Sequence, residues 1–454
     1  MQWYSYRLQR VVWHYNRYDW HFYFFLLPLI LYYISHGLVL YLLYGIYVCL
    51  LFWWAHKRDK KLVFTPRIKR FFLFLILSTI FQDMLCLLMT TCVKYGIIIP
   101  LLVAHIFSMV YEKIAYEGFK KEARKKLDVH SNIKVIAITA SYGKTSIKNF
   151  LFQMLSSHYK TYMTPRSVNT LAGIVKDINE SLPLDSDIYI VEAGARERGD
   201  IDEIARFVNP HIAVVGKIGE QHLEYFKTLE NIRNTKMELL NSSRLEKAFV
   251  HVSACVKDND FIHSFGDDLS HVNATFEHTT FSVTINGVEE QFLCNLLGDF
   301  NAINLCACIH VCLSLGIPLV NIKHSIANLK SVQHRLEKIE AGGKLIIDDS
   351  FNGNFDGMMS SYELASTFNG RKVIITPGIV ESSDNANKLL AQKIDEVFDL
   401  VILTGTINLN ILDSLIHKAE KIIVHDKTKI ETILAEHTRA GDLILFSNDA
   451  PNFM

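Results

Sequence analysis

The stretch Ile136-Ala-Ile-Thr-Ala-Ser-Tyr-Gly-Lys-Thr-Ser146 decides the fold of the polar part of the chain. Its first residues are apolar and β-branched, as in a buried strand, and residues 147–155 continue with a helical pattern. A phosphate loop has this arrangement, because backbone amides at a helix N-terminus face the anion and a lysine reaches the outer phosphates. We therefore predict a nucleotide phosphate site made by Ser141, Tyr142, Gly143, Lys144, Thr145 and Ser146.

The match to the pattern GxxxxGK[ST] is incomplete, because Ile138 occupies the first glycine position. An ordinary strand-to-helix turn with a solvated lysine is the alternative interpretation. Gly143 suits a turn in which the backbone approaches a phosphate closely, and the flanking strand and helix favour a nucleotide role.

The N-terminal part of the chain is strongly apolar. Residues 20–55 contain no Lys, Arg, Asp or Glu, and a second apolar region, residues 71–111, is interrupted only at 94–96 and by Asp83. Each region is long enough for two short membrane spans. We therefore predict a membrane region at residues 1–128 with about four transmembrane helices.

Charge predicts how this region is oriented. Basic residues are in excess at 1–19, 56–70 and 112–128, and basic loops prefer the cytoplasmic side. All three segments share one side only if each apolar block is a hairpin, which places the rest of the chain in the cytoplasm and makes membrane lipid a partner. The whole chain has 47 basic and 47 acidic residues, so net charge gives no argument for a nucleic-acid partner, and we predict none.

From Lys134 onward, short β-branched runs alternate with helical segments. Alternation of this kind predicts parallel α/β sheets. The predicted strands form two series, at 135–139, 188–192 and 212–215, and at 345–348, 373–376, 401–404, 422–424 and 443–446. We therefore predict two α/β domains, residues 129–333 and 334–454, with a boundary near 332–340.

Several polar residues follow the predicted strands. Glu192 ends one strand and could bind a metal, although a surface acid is an equal alternative. His222 follows another strand, where a structural histidine is more common than a ligand. Lys236 lies in the helical stretch 229–240, where a solvated face is the default interpretation.

Further candidates lie near the predicted domain boundary. Asn301 and Asn304 are one helical turn apart and could face one pocket, although N-capping would also explain Asn301. Arg335 could contact a terminal phosphate across the cleft. Asp349 and Asn352 belong to a polar segment, residues 348–354, that is rich in turn-forming residues.

Six segments, in this order, resemble motifs of the Mur ligases of peptidoglycan synthesis: TASYGKTS, VEAGARERGDI, GEQHLEYFKTLENIRNTKMEL, GDFNAIN, HRLE and DDSFNGNFDGM. The last resembles the branch of the family that adds D-alanyl-D-alanine. The resemblance runs from about Lys134 to the C-terminus. It implies an α/β fold with a P-loop Mur ligase central domain and a Rossmann-like C-terminal domain, which follow the N-terminal helical transmembrane region predicted above.

The resemblance also implies roles for individual residues. Lys144 and the loop amides would bind the ATP phosphates, Thr145 and Glu192 would hold Mg²⁺, and His222 and Lys236 would serve a second metal site. In several members of the family the lysine that matches Lys236 is carbamylated. The remaining implied contacts are nucleotide for Asn301 and Asn304, γ-phosphate for Arg335, ribose for Asp349, adenine for Asn352, and substrate for Asn169 and Thr170.

The implied reaction is ATP-dependent amide formation through an acyl phosphate, with D-alanyl-D-alanine as amine and a UDP-muramoyl tripeptide as acceptor. Taken with the predicted membrane region, the resemblance implies a bacterial inner-membrane protein, which could belong to a cell-wall synthesis complex. Ala137 and Ala140 depart from the family by replacing loop glycines, and Phe300 replaces a histidine. The membrane region also stands where the family's UDP-binding domain is expected. Two alternatives therefore remain. One is a membrane ligase for a lipid-linked muramoyl peptide or polyglutamate, and the other is a non-catalytic ATP-binding scaffold.

Overall fold

The computed structural model describes residues 22–34, 37–56, 63–89, 99–130, 132–220, 226–351, 353–379, 384–405 and 407–448. The chain divides into two compact units, Met1–Gly118 and Phe119–Met454, which are treated separately below.

The described part of the first unit is helical. A π-helical turn at Phe22–Leu26 precedes helices at Leu27–Ile34 (α1), Gly37–His56 (α2), Pro66–Met89 (α3) and Ile99–Val129 (α4), the last of which continues into the second unit. Three segments, Gly37–His56, Pro66–Leu88 and Ile99–Val129, are long and apolar enough to cross a membrane. The apolar helix at Phe22–Ile34 is shorter, so the described residues contain three candidate spans, and the count of about four stays a prediction.

Helices α3 and α4 pack against each other within the first unit. The Arg70 Nε atom donates to Glu112 Oε1 over 3.0 Å, Ser78 Oγ donates to the Pro100 carbonyl over 3.0 Å, and the Phe74 and Phe107 rings stack. These contacts agree with the predicted hairpin of the second apolar block. The interruption predicted at 94–96 and the basic segment 1–19 lie outside the described residues.

The second unit begins with a six-stranded sheet whose strands are all parallel, as predicted. Its order is β2-β3-β1-β4-β5-β6, with strands at Lys134–Thr139 (β1), Thr161–Met163 (β2), Ile188–Glu192 (β3), Ile212–Val215 (β4), Lys247–His251 (β5) and Ile262–Phe265 (β6). The three predicted strands are the central ones. The other three were not predicted. Two of them, β2 and β6, are short strands at the edges of the sheet and carry polar residues.

Helices cover both faces of this sheet. They are Lys144–Leu155 (α5), Leu171–Glu180 (α6), Asp200–Val208 (α7), Leu229–Met237 (α8), Phe300–Ser314 (α9) and Leu319–Ala327 (α10), with 3₁₀ turns at Glu238–Leu240 and Val252–Ala254. One buried core contains residues of α5 and α9, and the opposite core contains residues of α6, α7 and the end of α4. This two-sided burial explains why the central strands are almost entirely apolar.

A small antiparallel sheet links the two large sheets in sequence. It consists of Leu269–Ala274 (β7), Thr279–Ile285 (β8) and Val288–Cys294 (β9). The Phe281 and Phe292 rings stack with centroids 5.4 Å apart and join the core beside α9.

The C-terminal sheet has the order β10-β11-β15-β12-β13-β14. Its strands are Glu337–Ala341 (β10), Lys344–Asp349 (β11), Lys372–Thr376 (β12), Leu400–Thr404 (β13), Glu420–Val424 (β14) and Leu443–Ser447 (β15); only β10 is antiparallel to its neighbour. The helices are Phe355–Ser366 (α11), Asp384–Val397 (α12), Leu409–Leu415 (α13) and Ile430–His437 (α14), with a 3₁₀ turn at Lys427–Lys429. All five strands of the second predicted series are present, and the division at residue 333 stays a prediction.

Candidate active site

The candidate site lies at the carboxyl ends of β1, β3 and β4. These strands are adjacent, with Ile138 opposite Glu192 and Thr139 opposite Val215, so the loops that follow them emerge side by side. The order of the sheet reverses at β1, and ligands of open α/β sheets bind at such a point. The strand pairing therefore brings together segments that are about 50 residues or more apart in the sequence.

Gly143 forms the bend of the phosphate loop, residues 139–146. It has φ +81° and precedes the first residue of α5. A β-carbon at this position would lie 2.1 Å from Oδ1 of Asn304, so only glycine fits without displacing that side chain. Ser141 anchors the loop. Its amide donates to the Lys217 carbonyl, and its hydroxyl donates to the Gly219 carbonyl. The Tyr142 ring packs over Gly219.

Lys144 is folded back on its own loop. Its Nζ donates to the carbonyls of Ala140 and Ser141 over 2.7 and 3.1 Å. Burial lowers the pKa of Lys144 to about 8, while the Glu192 carboxylate opposes the shift and Arg335 adds to it. A phosphate in the loop would offer this ammonium a charged acceptor in place of two carbonyls.

Glu192 is the centre of a buried polar cluster. Thr145 Oγ1 donates to its Oε2 over 3.0 Å, and Asn169 Nδ2 donates to its Oε1 over 3.1 Å. The structure therefore brings Thr145, Glu192 and Asn169 together. Thr170 is exposed and accepts from the Gly173 amide, which makes it the N-cap of α6.

Lys148 belongs to the same cluster and was missed by the sequence analysis. Its side chain is 0% exposed, and its Nζ lies 3.2 Å from Glu192 Oε2. Its neighbours Ile147 and Leu151 are buried core residues. The sequence did contain a signal for this residue, because Lys148 lies between the apolar residues Ile147 and Leu151 on the helix that follows the phosphate loop. A lysine is almost never fully buried without a partner, so a lysine at a buried position indicates an ion pair.

Lys236 is buried, so the default expectation of a solvated face is wrong. It is 2% exposed, and burial, followed by the charge of Lys144, holds its pKa well below the usual value. Glu238, two residues further along the chain, accepts from the amides of Gly199 and Asp202 at the start of α7. His222 lies outside the described residues, so the structure leaves its predicted metal role untested.

Asn301 and Asn304 are buried near the start of α9. The cap of α9 is Asp299, which accepts from the Phe300 amide, so N-capping does not explain Asn301. Asn301 instead donates to the Leu297 carbonyl over 2.7 Å and accepts from Asn304 over 3.4 Å. This pair places Asn304 directly beside Gly143 of the phosphate loop.

Arg335 is brought to the same region from the turn before β10. Its guanidinium lies 5.4 Å from the centroid of the Phe351 ring. Burial lowers its pKa, and the carboxylates of Glu192 and Asp349 oppose that shift. Burial also raises the pKa of Asp349 to about 7, although the charge of Arg335 acts in the opposite direction. Asn352 lies outside the part of the chain that the structure describes.

The alanine at position 140 is accommodated by a glycine opposite it. A β-carbon built on Gly216 would lie 3.0 Å from that of Ala140. The methyl group of Ala140 therefore occupies space that position 216 leaves free, and the departure from the family's glycine does not block the loop.

The chain is similar to known proteins over the described sheets. Residues 138–312 match the Mur ligase middle domain. The UDP-N-acetylmuramoyl-tripeptide--D-alanyl-D-alanine ligase of Bacillus subtilis is 27% identical over 337 residues, which is 69% of this chain and 72% of that protein. The ligase of the same name from Borreliella burgdorferi is 28% identical over 310 residues, 63% of this chain and 65% of that protein. A crystal structure of MurF ligase from Thermotoga maritima in complex with ADP superposes with a TM-score of 0.64 at 25% identity, covering 73% of this chain and 80% of that one.

Proposed function

Because this chain belongs to the Mur ligase family, we propose that it joins D-alanyl-D-alanine to a UDP-muramoyl tripeptide at the expense of ATP. One observation carries the proposal. Thr145 of the phosphate loop, Asn169 and Glu192, from three separate segments, are hydrogen-bonded to one another in a single buried cluster. Two relatives that match 69% and 63% of this chain are named for this ligation.

We assign ATP to the phosphate loop. Lys144 and the amides of α5 would bind the outer phosphates, with Asn304 beside the bend at Gly143. Arg335 would neutralise charge on the γ-phosphate, and Asp349 would contact the ribose. The similarity to a MurF structure that contains ADP supports a nucleotide here.

The described residues offer donors that suit Mg²⁺. Thr145 Oγ1 and Glu192 Oε2 are both oxygens, lie 3.0 Å apart and adjoin the predicted phosphate site. A bound Mg²⁺ would neutralise phosphate charge during transfer. Lys236 is proposed for the second site through carbamylation, because a buried amine with a lowered pKa is uncharged more readily and can react with carbon dioxide.

The proposed reaction has two steps. The acceptor carboxylate attacks the γ-phosphorus of ATP and forms an acyl phosphate as ADP leaves. The amine of D-alanyl-D-alanine then attacks the acyl carbon, and phosphate leaves as the amide forms. Lys144 and Arg335 would stabilise the charge of the transferring group, while Asn169 would hold the acceptor near Glu192.

We propose that α2, α3 and α4 cross the bacterial inner membrane and that the ligase unit lies in the cytoplasm. Exposed apolar side chains along these helices support the proposal, for example Leu38 at 75%, Phe52 at 74% and Leu87 at 81%. Large exposed apolar surfaces require a partner, and lipid is the partner that suits three long apolar helices.

A lipid-linked acceptor is the second candidate. It is favoured by the apolar helices that precede the ligase unit, because an enzyme held in the membrane meets membrane-bound substrates readily. The acceptor carboxylate and the reaction are the same in both cases, so the two candidates differ only in what carries the muramoyl peptide.

The test uses the full chain in detergent micelles with ATP, Mg²⁺ and D-alanyl-D-alanine. UDP-muramoyl tripeptide and a lipid-linked muramoyl tripeptide are supplied in parallel, and products are identified by mass spectrometry. We expect the UDP-linked pentapeptide. Preference for the lipid-linked acceptor would favour the second candidate, and no product with either acceptor would contradict both.

A further inference from the structure

Lys148 is a fully buried lysine in the candidate site. It lies one helical turn beyond Lys144, and its ammonium also donates to the Arg166 carbonyl. Its position is therefore fixed from two sides, by Glu192 and by the backbone before α6. A buried ammonium is retained only with a charged or strongly polar partner, and Glu192 is that partner here.

The ammonium acts on the same oxygen that would bind Mg²⁺. Glu192 Oε2 accepts from Thr145 over 3.0 Å and lies 3.2 Å from Lys148 Nζ, whereas Asn169 holds Oε1. A divalent cation on Oε2 would therefore lie a few ångströms from a buried positive charge, as the geometry of one shared oxygen requires. Two cations repel strongly at such distances when water is excluded.

Without nucleotide, Glu192 and Lys148 together present no net charge to a cation. Bound nucleotide would add the negative charges of its phosphates on the other side of the metal position, beside Lys144. The attraction for a cation would then come from the phosphates and from Glu192 together, and it would outweigh the repulsion from Lys148.

We propose that Lys148 is a positioning residue that serves as the counter-ion of Glu192 and makes metal binding depend on bound nucleotide. This inference rests on the proposed function only in assuming that a nucleotide occupies the phosphate loop. The dependence of metal binding on nucleotide would then come from a residue that contacts neither phosphate nor metal directly.

The test is a titration of Mn²⁺ into the full chain in detergent without nucleotide, with unbound Mn²⁺ measured by electron paramagnetic resonance. Lys148→Met should bind Mn²⁺ at least about tenfold more tightly than the wild type, because Glu192 then keeps its full charge. A purely structural role predicts weaker binding after the substitution. Lys176→Met, at an exposed lysine on α6, should leave the affinity unchanged.

Lys148→Gln covers the case in which Lys148→Met fails to fold, because it keeps a hydrogen-bond donor and removes the charge. Unchanged or weaker Mn²⁺ binding by the folded uncharged variants would overturn the inference. A parallel titration with Mn²⁺ and ADP separates the two proposals. If the wild type does not bind ADP at all, the proposed function fails; if it binds ADP and the variants bind free Mn²⁺ as the wild type does, only the role of Lys148 fails.

Discussion

Gly143 and Gly199 have similar backbone conformations but different neighbouring atoms. Both precede a helix with positive φ, +81° and +92°. A β-carbon at Gly143 would meet Asn304 at 2.1 Å, whereas one at Gly199 would meet nothing within 4 Å. Substitution at Gly199 therefore adds only backbone strain, while substitution at Gly143 also displaces a side chain of the proposed nucleotide site.

We expect Gly199→Ala to cost about 1–2 kcal/mol of stability and to leave ADP affinity unchanged. Gly143→Ala should cost at least as much stability and also weaken ADP binding by about tenfold or more, because Asn304 must move. Thermal unfolding and calorimetric titration of both variants measure the difference. Equal ADP affinity in the two variants would show that Asn304 does not need its position beside the loop.

The raised pKa of Asp349 predicts that the stability of the folded chain depends on pH. Burial raises its pKa from 3.8 to about 7, so between these values the folded chain binds more protons at this carboxyl than the unfolded chain does. The free energy of unfolding contributed by Asp349 therefore falls as pH rises through this range and is constant above it. Asp349→Asn removes the contribution.

The measurement is the thermal unfolding midpoint of Asp349→Asn minus that of the wild type, from pH 4 to 8. This difference should become more positive as pH rises to about 7 and then level off. A difference that is independent of pH would contradict the shifted pKa of Asp349.

Some site residues could be predicted from sequence and others could not, for physical reasons. Thr145 and Glu192 follow adjacent parallel strands, so their proximity follows from the sheet alone. The pairing of Lys148 with Glu192 depends on which face of α5 meets β3, and the alternation of strands and helices does not reveal that. The burial of Lys236 could not be predicted either, because its stretch of sequence is as polar as that of a solvated helix.

At the scale of elements, the last turns of α4, which belong to the second unit, pack on helices of that same unit. Arg124 Nη1 donates to the Phe207 carbonyl over 2.6 Å, and Lys126 Nζ donates to the Ile178 carbonyl over 2.7 Å. Both acceptors lie in the last turns of helices, α7 and α6, where cations are favoured. Leu127, 4% exposed, packs in the adjoining core.

Leu127→Ala should therefore destabilise the second unit by about 2–3 kcal/mol, because it leaves a cavity in a buried cluster. Val129→Ala is the matched control, since Val129 lies on the same helix and is 72% exposed; it should change stability by less than about 0.5 kcal/mol. Thermal unfolding of both variants decides the matter. Equal midpoints would mean that the end of α4 does not pack as described.

The central strands of both large sheets could be predicted because burial on two faces makes them continuous apolar runs. The three-stranded sheet β7–β9 could not, because residues such as Glu289, Glu290 and Gln291 interrupt its apolar pattern. Its core contacts come from only a few residues, among them Phe281 and Phe292.

At the scale of the whole molecule, the membrane proposal predicts the side on which the ligase unit lies. Cys255 is a free and exposed thiol of that unit. A membrane-impermeant maleimide should label it in inside-out vesicles and not in right-side-out vesicles, with Cys255→Ser identifying the labelled site. Equal labelling in intact right-side-out vesicles would contradict a cytoplasmic ligase unit.

ATP bound at the phosphate loop is proposed to drive ligation. The most direct test is the rate of phosphate release by the full chain with ATP, Mg²⁺ and UDP-muramoyl tripeptide, measured with and without D-alanyl-D-alanine. We predict release that depends on the amine, a loss of about 100-fold or more in Lys144→Ala, and an unchanged rate in Lys176→Ala, whose lysine is exposed. Release at the wild-type rate by Lys144→Ala, or release that does not depend on D-alanyl-D-alanine, would contradict the account.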